Sequence, residues 1–383
     1  MKKIIFLSVI FCILITNGQD KKNLSDEEKL TKYIIDNKQS FTFSGQNPIG
    51  NGWKSLENQF SENQFVGWGE YHNSALFSNL TTFALESASK NGFKNWCVET
   101  SPFVASELMR ISKSKNPTDS IVSIYQKGYP KIGSFPFFST KDDAKMLISV
   151  NKNKMSIWGI DQEFQMAFPY CIDMVYNSQK LKIRQENKVV YDSLKAKWWS
   201  PENSDLEKLK NNIPQQKFKD VLEEIKISTE IYSSPSYTMN NLRTILMKKN
   251  FYNYYDNTLS KNEKVFFKMG ANHIAKGINL QTHQYDIGNS VFELSQRLKT
   301  NYTNVLFIVR YYIEDGKVVD ENESNKPEYP KTFMQLYEKD KWIVVDLRPI
   351  RKMLKIYDKT LSMDTYETIE KYDFVVISPE ILE

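Results

Sequence analysis

The sequence predicts an α/β fold, a mostly parallel central sheet flanked by helices, with a helical insertion, or cap, of about ninety residues. Three observations predict it. Short apolar runs of strand texture recur, each ending in polar residues: "NQFVGWGE", "FKNWCVETSP", "KMSIWGIDQEF", "KVFFKMGANH", "NVLFIVRYY", "KWIVVDLRPI" and "KYDFVVISPE". The first two enclose a helical pattern within about 35 residues, the length of a βαβ unit, whose crossover makes its two strands parallel. Between residues 175 and 262 strand signals vanish and long charged helical segments take over.

In chain order, Lys2 and Lys3 precede an apolar run from Ile4 to about Thr16, followed by small and polar residues. This reads as a secretory leader over residues 1–19, shorter than a membrane-spanning helix. The chain is therefore expected to be exported, periplasmic or secreted, with no stable membrane insertion after cleavage. Cys12 follows Phe11 inside the apolar run and so lacks the small residue that lipid attachment would need before it. Leu30, Tyr33 and Ile34 share one face of a helix over 24–40, and the polar "SGQNPIGNGW" reads as a link. After the strand "NQFVGWGE" comes an amphipathic helix carrying Leu76, Leu80, Phe83 and Ser87 on one face, with Asn73 or Ser74 as its N-cap and Gly92 as its stop. Helical patterns over 103–113 and 141–150 lead to the third strand. The expected organisation is leader 1–19, first part of the core 20–174, insertion 175–262 and second part of the core 263–383.

The formal charge of +5 includes the two leader lysines, and charge runs are short and mixed, so no basic surface for nucleic acid is expected. Cys97 and Cys171 have no CxxC or Cys/His metal spacing; export would permit a disulfide, and two buried thiols are the simpler reading. Patterns for a GxSxG nucleophile elbow, a phosphate-binding loop, HExxH and GxGxxG are absent.

Of three histidines, two fall at strand ends. Glu70 and His72 follow the first strand, Glu99 ends the second, Asp161 and Glu163 end the third and His273 ends the fourth. In parallel sheets, catalytic and ligand groups gather outside the carboxyl ends of the strands. Each residue also has a plain structural role: Glu70 can face a helix start, His72 can be a satisfied structural histidine, and Asp161 can cap a turn. Glu99, after the apolar "WCV", needs a partner, for which His72 and His273 are candidates. Together these groups suit two kinds of chemistry. His72, Glu99 and His273 could bind Zn, Mn or Co and lower the pKa of a bound water. Alternatively, His72 could act without metal as a general base held by Glu70 or Glu99. Both lead to hydrolysis of an ester or amide in a small-molecule or peptide substrate. His283, in "LQTHQYDIG", reads as a surface residue.

The motifs "GWGEYHNS", "GFKNWCVET", "SIWGIDQEF", "FFKMGANHIAKG" and "YDFVVIS", in that order, resemble the erythromycin esterase-like and ChaN-like superfamily, to which Tiki-type metalloproteases are related. The resemblance spans about residues 60 to 380. It implies a general base at His72, acids at Glu70, Glu99 and Asp161 that orient it or the water, a late histidine at His273, and a cleft walled by the helical region. One residue, Tyr71, separates Glu70 from His72, where the esterase pattern has two. That spacing resembles the ChaN-like haem-binding proteins and implies haem as an alternative ligand, with Tyr71 beside His72 available to the iron. No arginine occurs in the helix after the first strand, where the esterases carry one. A scaffold that only binds a partner is the third reading.

Overall fold

The computed structural model describes residues 25–45, 47–72, 74–127, 135–258, 260, 262–354 and 361–382. The expected leader, Cys12 and Asn73 lie outside the described residues. The strands are β1 (Gln39–Ser44), β2 (Asn47–Ile49), β3 (Phe65–Glu70), β4 (Asn95–Val98), β5 (Ser156–Gly159), β6 (Val265–Gly270), β7 (Tyr302–Ile308), β8 (Tyr311–Glu314), β9 (Lys317–Asp320), β10 (Trp342–Asp346), β11 (Phe374–Ile377) and β12 (Ile381–Leu382). A nine-stranded sheet runs in the order β2-β1-β10-β11-β7-β3-β6-β4-β5. From β11 to β5 every pairing is parallel, and β10, β1 and β2 extend it antiparallel. A small second sheet joins β12, β8 and β9.

Strands β3, β4, β6 and β7 are buried along their whole length, as expected of parallel strands covered on both faces. Side chains alternate between two cores. Val66, Trp68, Trp96, Phe266 and Phe307 pack under the helices Asn51–Glu62, Ala75–Lys90 and Lys141–Lys152. Phe65, Cys97, Phe267, Leu306 and Val375 pack with Phe251 and Val291 of the helices Ser236–Asp256 and Ile287–Leu298 on the other face. Cys97 and Cys171 are both buried free thiols. No helix among the described residues is long and apolar enough to cross a membrane.

Three features differ from the sequence expectation. Strands β3 and β4 are parallel but not adjacent, because β6 lies between them and pairs with both. The crossover pattern reports direction, not neighbours, and the apolar "VFFKMG" fits a central position where both faces are covered. The end of the expected 24–40 helix and the start of the polar link, residues 44–53, instead contribute the β1–β2 hairpin, with Gly45 at φ +60°. "NVLFIVRYY" also splits into β7 and β8, and Asp315–Gly316, both at positive φ, turns β8 into β9.

Between β5 and β6 the chain is helical: Phe168–Asn177, Leu181–Glu186, Lys188–Ala196, Asn203–Asn212, Gln216–Ser233 and Ser236–Asp256. Pro214 falls between the fourth and fifth of these, ending the continuous helical pattern of the sequence. Helices Gln216–Ser233 and Ser236–Asp256 pack as a pair, the second against the edge strand β5.

Gly159 ends β5 beneath the helix Pro102–Ser112, where a Cβ would strike the Ser101 carbonyl oxygen and lie 2.7 Å from Ala105 Cβ. This close approach aims the following residues, including Asp161, at the sheet's carboxyl edge. Gly159→Ala is expected to cost about 1–3 kcal/mol or more, seen as a lower urea midpoint; an unchanged midpoint would show that the contact yields freely.

Candidate active site

The site is built by strand register. Glu70, the last residue of β3, stands beside Gly270, the last of β6, and Val98 of β4 stands beside Lys268. The carboxyl ends of three adjacent strands are thereby level, and Glu70, Glu99 and the segment after Gly270 meet. Gly270 is required by this proximity: a Cβ there would lie 2.9 Å from His72 Nε2 and 3.2 Å from Glu99 Oε2.

Glu99 lies at the centre, 4% exposed. Its Oε2 accepts the Gly270 N–H at 2.6 Å, and its Oε1 accepts from Arg243 Nη2 at 2.7 Å and lies 3.3 Å from His273 Nε2. Burial by itself would raise its pKa, but His273, His72 and Arg243 hold it well below the ordinary glutamate value. Arg243 reaches in from the helix Ser236–Asp256 and forks onto Asp161: Nε donates to Oδ1 at 2.9 Å and Nη2 to Oδ2. The Asp161 Oδ1 also accepts the Gln162 N–H. His273, in a short turn of 3-10 helix after β6, has Nδ1 2.9 Å from Asp286 Oδ2. Burial disfavours its charge, yet Asp286 and Glu99 outweigh burial and raise its pKa to about 10. It is therefore an imidazolium at neutral pH, donating from both ring nitrogens.

The second half of the site is Glu70 and His72. Glu70 is the last residue of β3 and His72 lies in the turn that follows, and the two side chains meet, with Glu70 Oε1 3.2 Å from His72 Nδ1. Glu70 Oε2 is paired at 2.6 Å with the buried Lys268, one turn of pleat before the end of β6. Burial opposes ionisation of Glu70, but Lys268 and His72 prevail and lower its pKa. An ionised Glu70 is an acceptor for a His72 Nδ1–H, the tautomer that carries the lone pair on Nε2. That nitrogen is 3.8 Å from Glu99 Oε2, beyond hydrogen-bond range, and the ring stacks on Phe137 at 4.0 Å while remaining one-third exposed.

The structure thus brings together Glu70, His72, Glu99, Asp161 and His273. It does not bring Tyr71 with them: its ring packs on Tyr329 at 6.5 Å, and burial raises its pKa. The Tyr71 ring is directed to Tyr329 while His72 engages Glu70, so the two do not offer haem iron a shared position. A divalent metal does not fit the arrangement either. Both oxygens of Glu99 and both ring nitrogens of His273 are occupied by protein partners, and a metal at Glu99 would face the guanidinium. Among the described residues no group of three His, Cys, Asp or Glu side chains is placed to hold a metal ion. His283 is exposed, as expected.

Three participants escaped the sequence reading. Arg243 lies in a helix 82 residues from Asp161 in sequence, with nothing local to mark it. Lys268 carried a signal, since a lone charge inside "VFFKMG" demands a buried counter-charge. Asp286 reads as the N-cap of the helix Ile287–Leu298, which it also is.

Two outcomes test these electrostatics. Because the folded state raises the pKa of His273, its contribution to stability is complete below about pH 6.5 and is lost as the pH climbs through about 10. Urea midpoints measured from pH 7 to 10.5 should fall over that window, and in Asp286→Asn the fall should begin at lower pH; identical profiles would contradict the pairing. Arg243→Met leaves Glu99 and Asp161 without their shared cation and should cost about 3–5 kcal/mol in the same assay at neutral pH.

Comparison with solved structures places this geometry on a known scaffold. A succinoglycan biosynthesis protein is 15% identical and superposes with a TM-score of 0.55, covering 92% of this chain and 97% of that one. A mutant of the erythromycin esterase EreC in its open conformation is 13% identical, with a TM-score of 0.54 over 90% of this chain and 97% of that one. A Bacillus cereus protein is 16% identical, with a TM-score of 0.52 and coverage of 92% and 97%. No family model and no curated protein matches the sequence. At these identities the likeness is one of fold, and the chain carries the fold that an erythromycin esterase carries.

Proposed function

We propose that this protein is an exported hydrolase that uses His72 as a general base on water, acting on an ester or amide of a small-molecule or peptide substrate. The observation that carries the reading is the Lys268–Glu70–His72 chain. A buried lysine keeps Glu70 ionised, Glu70 orients the imidazole through Nδ1, and Nε2 is directed toward Glu99, 3.8 Å away and outside hydrogen-bond range, on a ring that is one-third exposed. This is the base half of a hydrolytic triad, with water in place of a side-chain nucleophile.

The electrostatics suit the transfer. In the step itself, Nε2 takes a proton from water as the water oxygen attacks the carbonyl carbon, and the proton is passed to the leaving oxygen or nitrogen. Around it stand four carboxylates, Glu70, Glu99, Asp161 and Asp286, against three cations, Lys268, Arg243 and His273. The surplus negative charge favours the imidazolium that forms when His72 takes the proton. Glu99, 3.8 Å from Nε2, is placed to stabilise that charge, and Arg243 and His273 hold Glu99 ionised. The shared fold with an erythromycin esterase supports the ester class, and the leader-like N-terminus supports export.

Turnover of a panel of p-nitrophenyl esters and anilides tests the proposal. His72→Ala should lower kcat/KM by about 10²–10⁴ with little change in melting temperature, since the side chain is one-third exposed. Turnover at the original rate in this variant would refute the assignment.

A further inference from the structure

Beside the candidate active site, and sharing with it only Asp161, lies a cavity of about 770 Å³. The helices Gln216–Ser233 and Ser236–Asp256 form one wall, and Trp158 of the edge strand β5 and the segment Asp161, Gln162 and Glu163 form the other. Tyr254 lies flat on Trp158, with ring centres 5.4 Å apart and planes within 7°.

The polar lining is one-sided. Gln162 Oε1, Glu163 Oε1 and Glu224 Oε2 are buried acceptors that no donor satisfies at ordinary hydrogen-bond geometry, with the Cys171 thiol and the Phe164 amide near Glu163 and the Phe103 amide near Glu224, and all three residues line the cavity. Glu163 is 1% exposed and Gln162 4%. Other charges at the cavity are already matched: Asp161 by Arg243, Glu223 by Lys210 at 2.5 Å, and Asp220 by the Gln216 amide at 2.8 Å. Lys249, the cation among the described lining residues, is exposed. Three orphaned acceptors in one cavity cost free energy that a ligand made only of donors would recover. Ammonium and guanidinium groups are such donors, having no acceptor atom, and the stacked aromatic wall favours a cation over an anion. Without one, burial raises Glu163 to about 7 and Glu224, which also faces Glu163, to about 8.

We propose that this cavity is a binding site for a small organic cation, a primary amine or guanidinium compound, held by Gln162, Glu163 and Glu224 against the Trp158–Tyr254 wall. The site does not depend on the hydrolytic reading. Glu163 ends the same strand as Asp161, but it turns to this cavity and makes no contact with His72 or Glu99. Its Oε2 accepts from Ser101 Oγ at 2.6 Å, which holds the carboxyl, and its backbone N–H donates to Ser228 Oγ of the helix wall at 2.9 Å.

Calorimetric titration of the full chain with putrescine tests the proposal without any measurement of turnover, with 1,4-butanediol as the uncharged isostere and methylguanidinium as the second cation. Saturable binding of either cation and none of the diol is expected. Glu163→Gln and Glu224→Gln should each weaken binding at least about tenfold, a change of about 1.4 kcal/mol, while melting temperature holds or rises. Leu246→Trp, which fills the cavity from the helix wall, should abolish binding even if a glutamine variant folds poorly. Absence of saturable binding by both cations, equal binding of the diol, or binding unaffected by the substitutions overturns the proposal.

Discussion

The buried carboxylate of Glu99 is the constraint on which the rest of the structure depends. It is an ion at the end of a four-residue apolar strand, with almost no solvent access, and such an ion is tolerated only when its desolvation is offset by good partners. Those partners come from two distant segments: the Gly270 amide at the end of β6 with His273 just beyond it, and Arg243 from the helical insertion. Satisfying one carboxylate therefore fixes the register of β6 beside β4, the turn that follows β6, and the docking of a helix more than a hundred residues away.

The two histidines show how environment divides one chemistry into two roles. His273 sits between Asp286 and Glu99 and is kept charged, so it is a structural cation. His72 has one carboxylate in hydrogen-bond range and an open face, so it can exchange a proton. A buried lysine reinforces this division, because Lys268 neutralises Glu70 on the side away from His72 and leaves the other oxygen for the imidazole. The same arithmetic explains why the donor set does not suit a metal: the positions a metal would take are held by the protein's own cations.

Much of this was legible in the sequence. Apolar runs ending in polar residues marked β3, β4, β5 and β6, and the rule that parallel strands present their carboxyl ends to ligands was enough to group Glu70, His72, Glu99, Asp161 and His273. The single-residue spacing of Glu70 and His72 also said that both would face the same way if the chain stayed extended. What was hidden depended on non-local pairing. Local pattern cannot show that β6 enters between β3 and β4, and without that order Gly270 and Lys268 have no meaning as site residues. Arg243 was hidden for the same reason, since its partners are supplied by other elements. The β1–β2 and β8–β9 hairpins were missed for a different one: short strands with partly exposed faces lack the apolar runs that identify buried ones.

The position of β6 bears on how the chain reaches this structure. Its two neighbours, β3 and β4, are made early and come with their own crossover helix, yet the place between them is filled by a strand that emerges only after the whole insertion. Pairings of such sequence separation carry a large loop-closure cost and slow folding. The central sheet cannot close on a growing chain until about two-thirds of it has emerged, so β3 and β4 must avoid pairing prematurely with each other. A chain that gains its central strand so late stays without a rigid core for most of its synthesis.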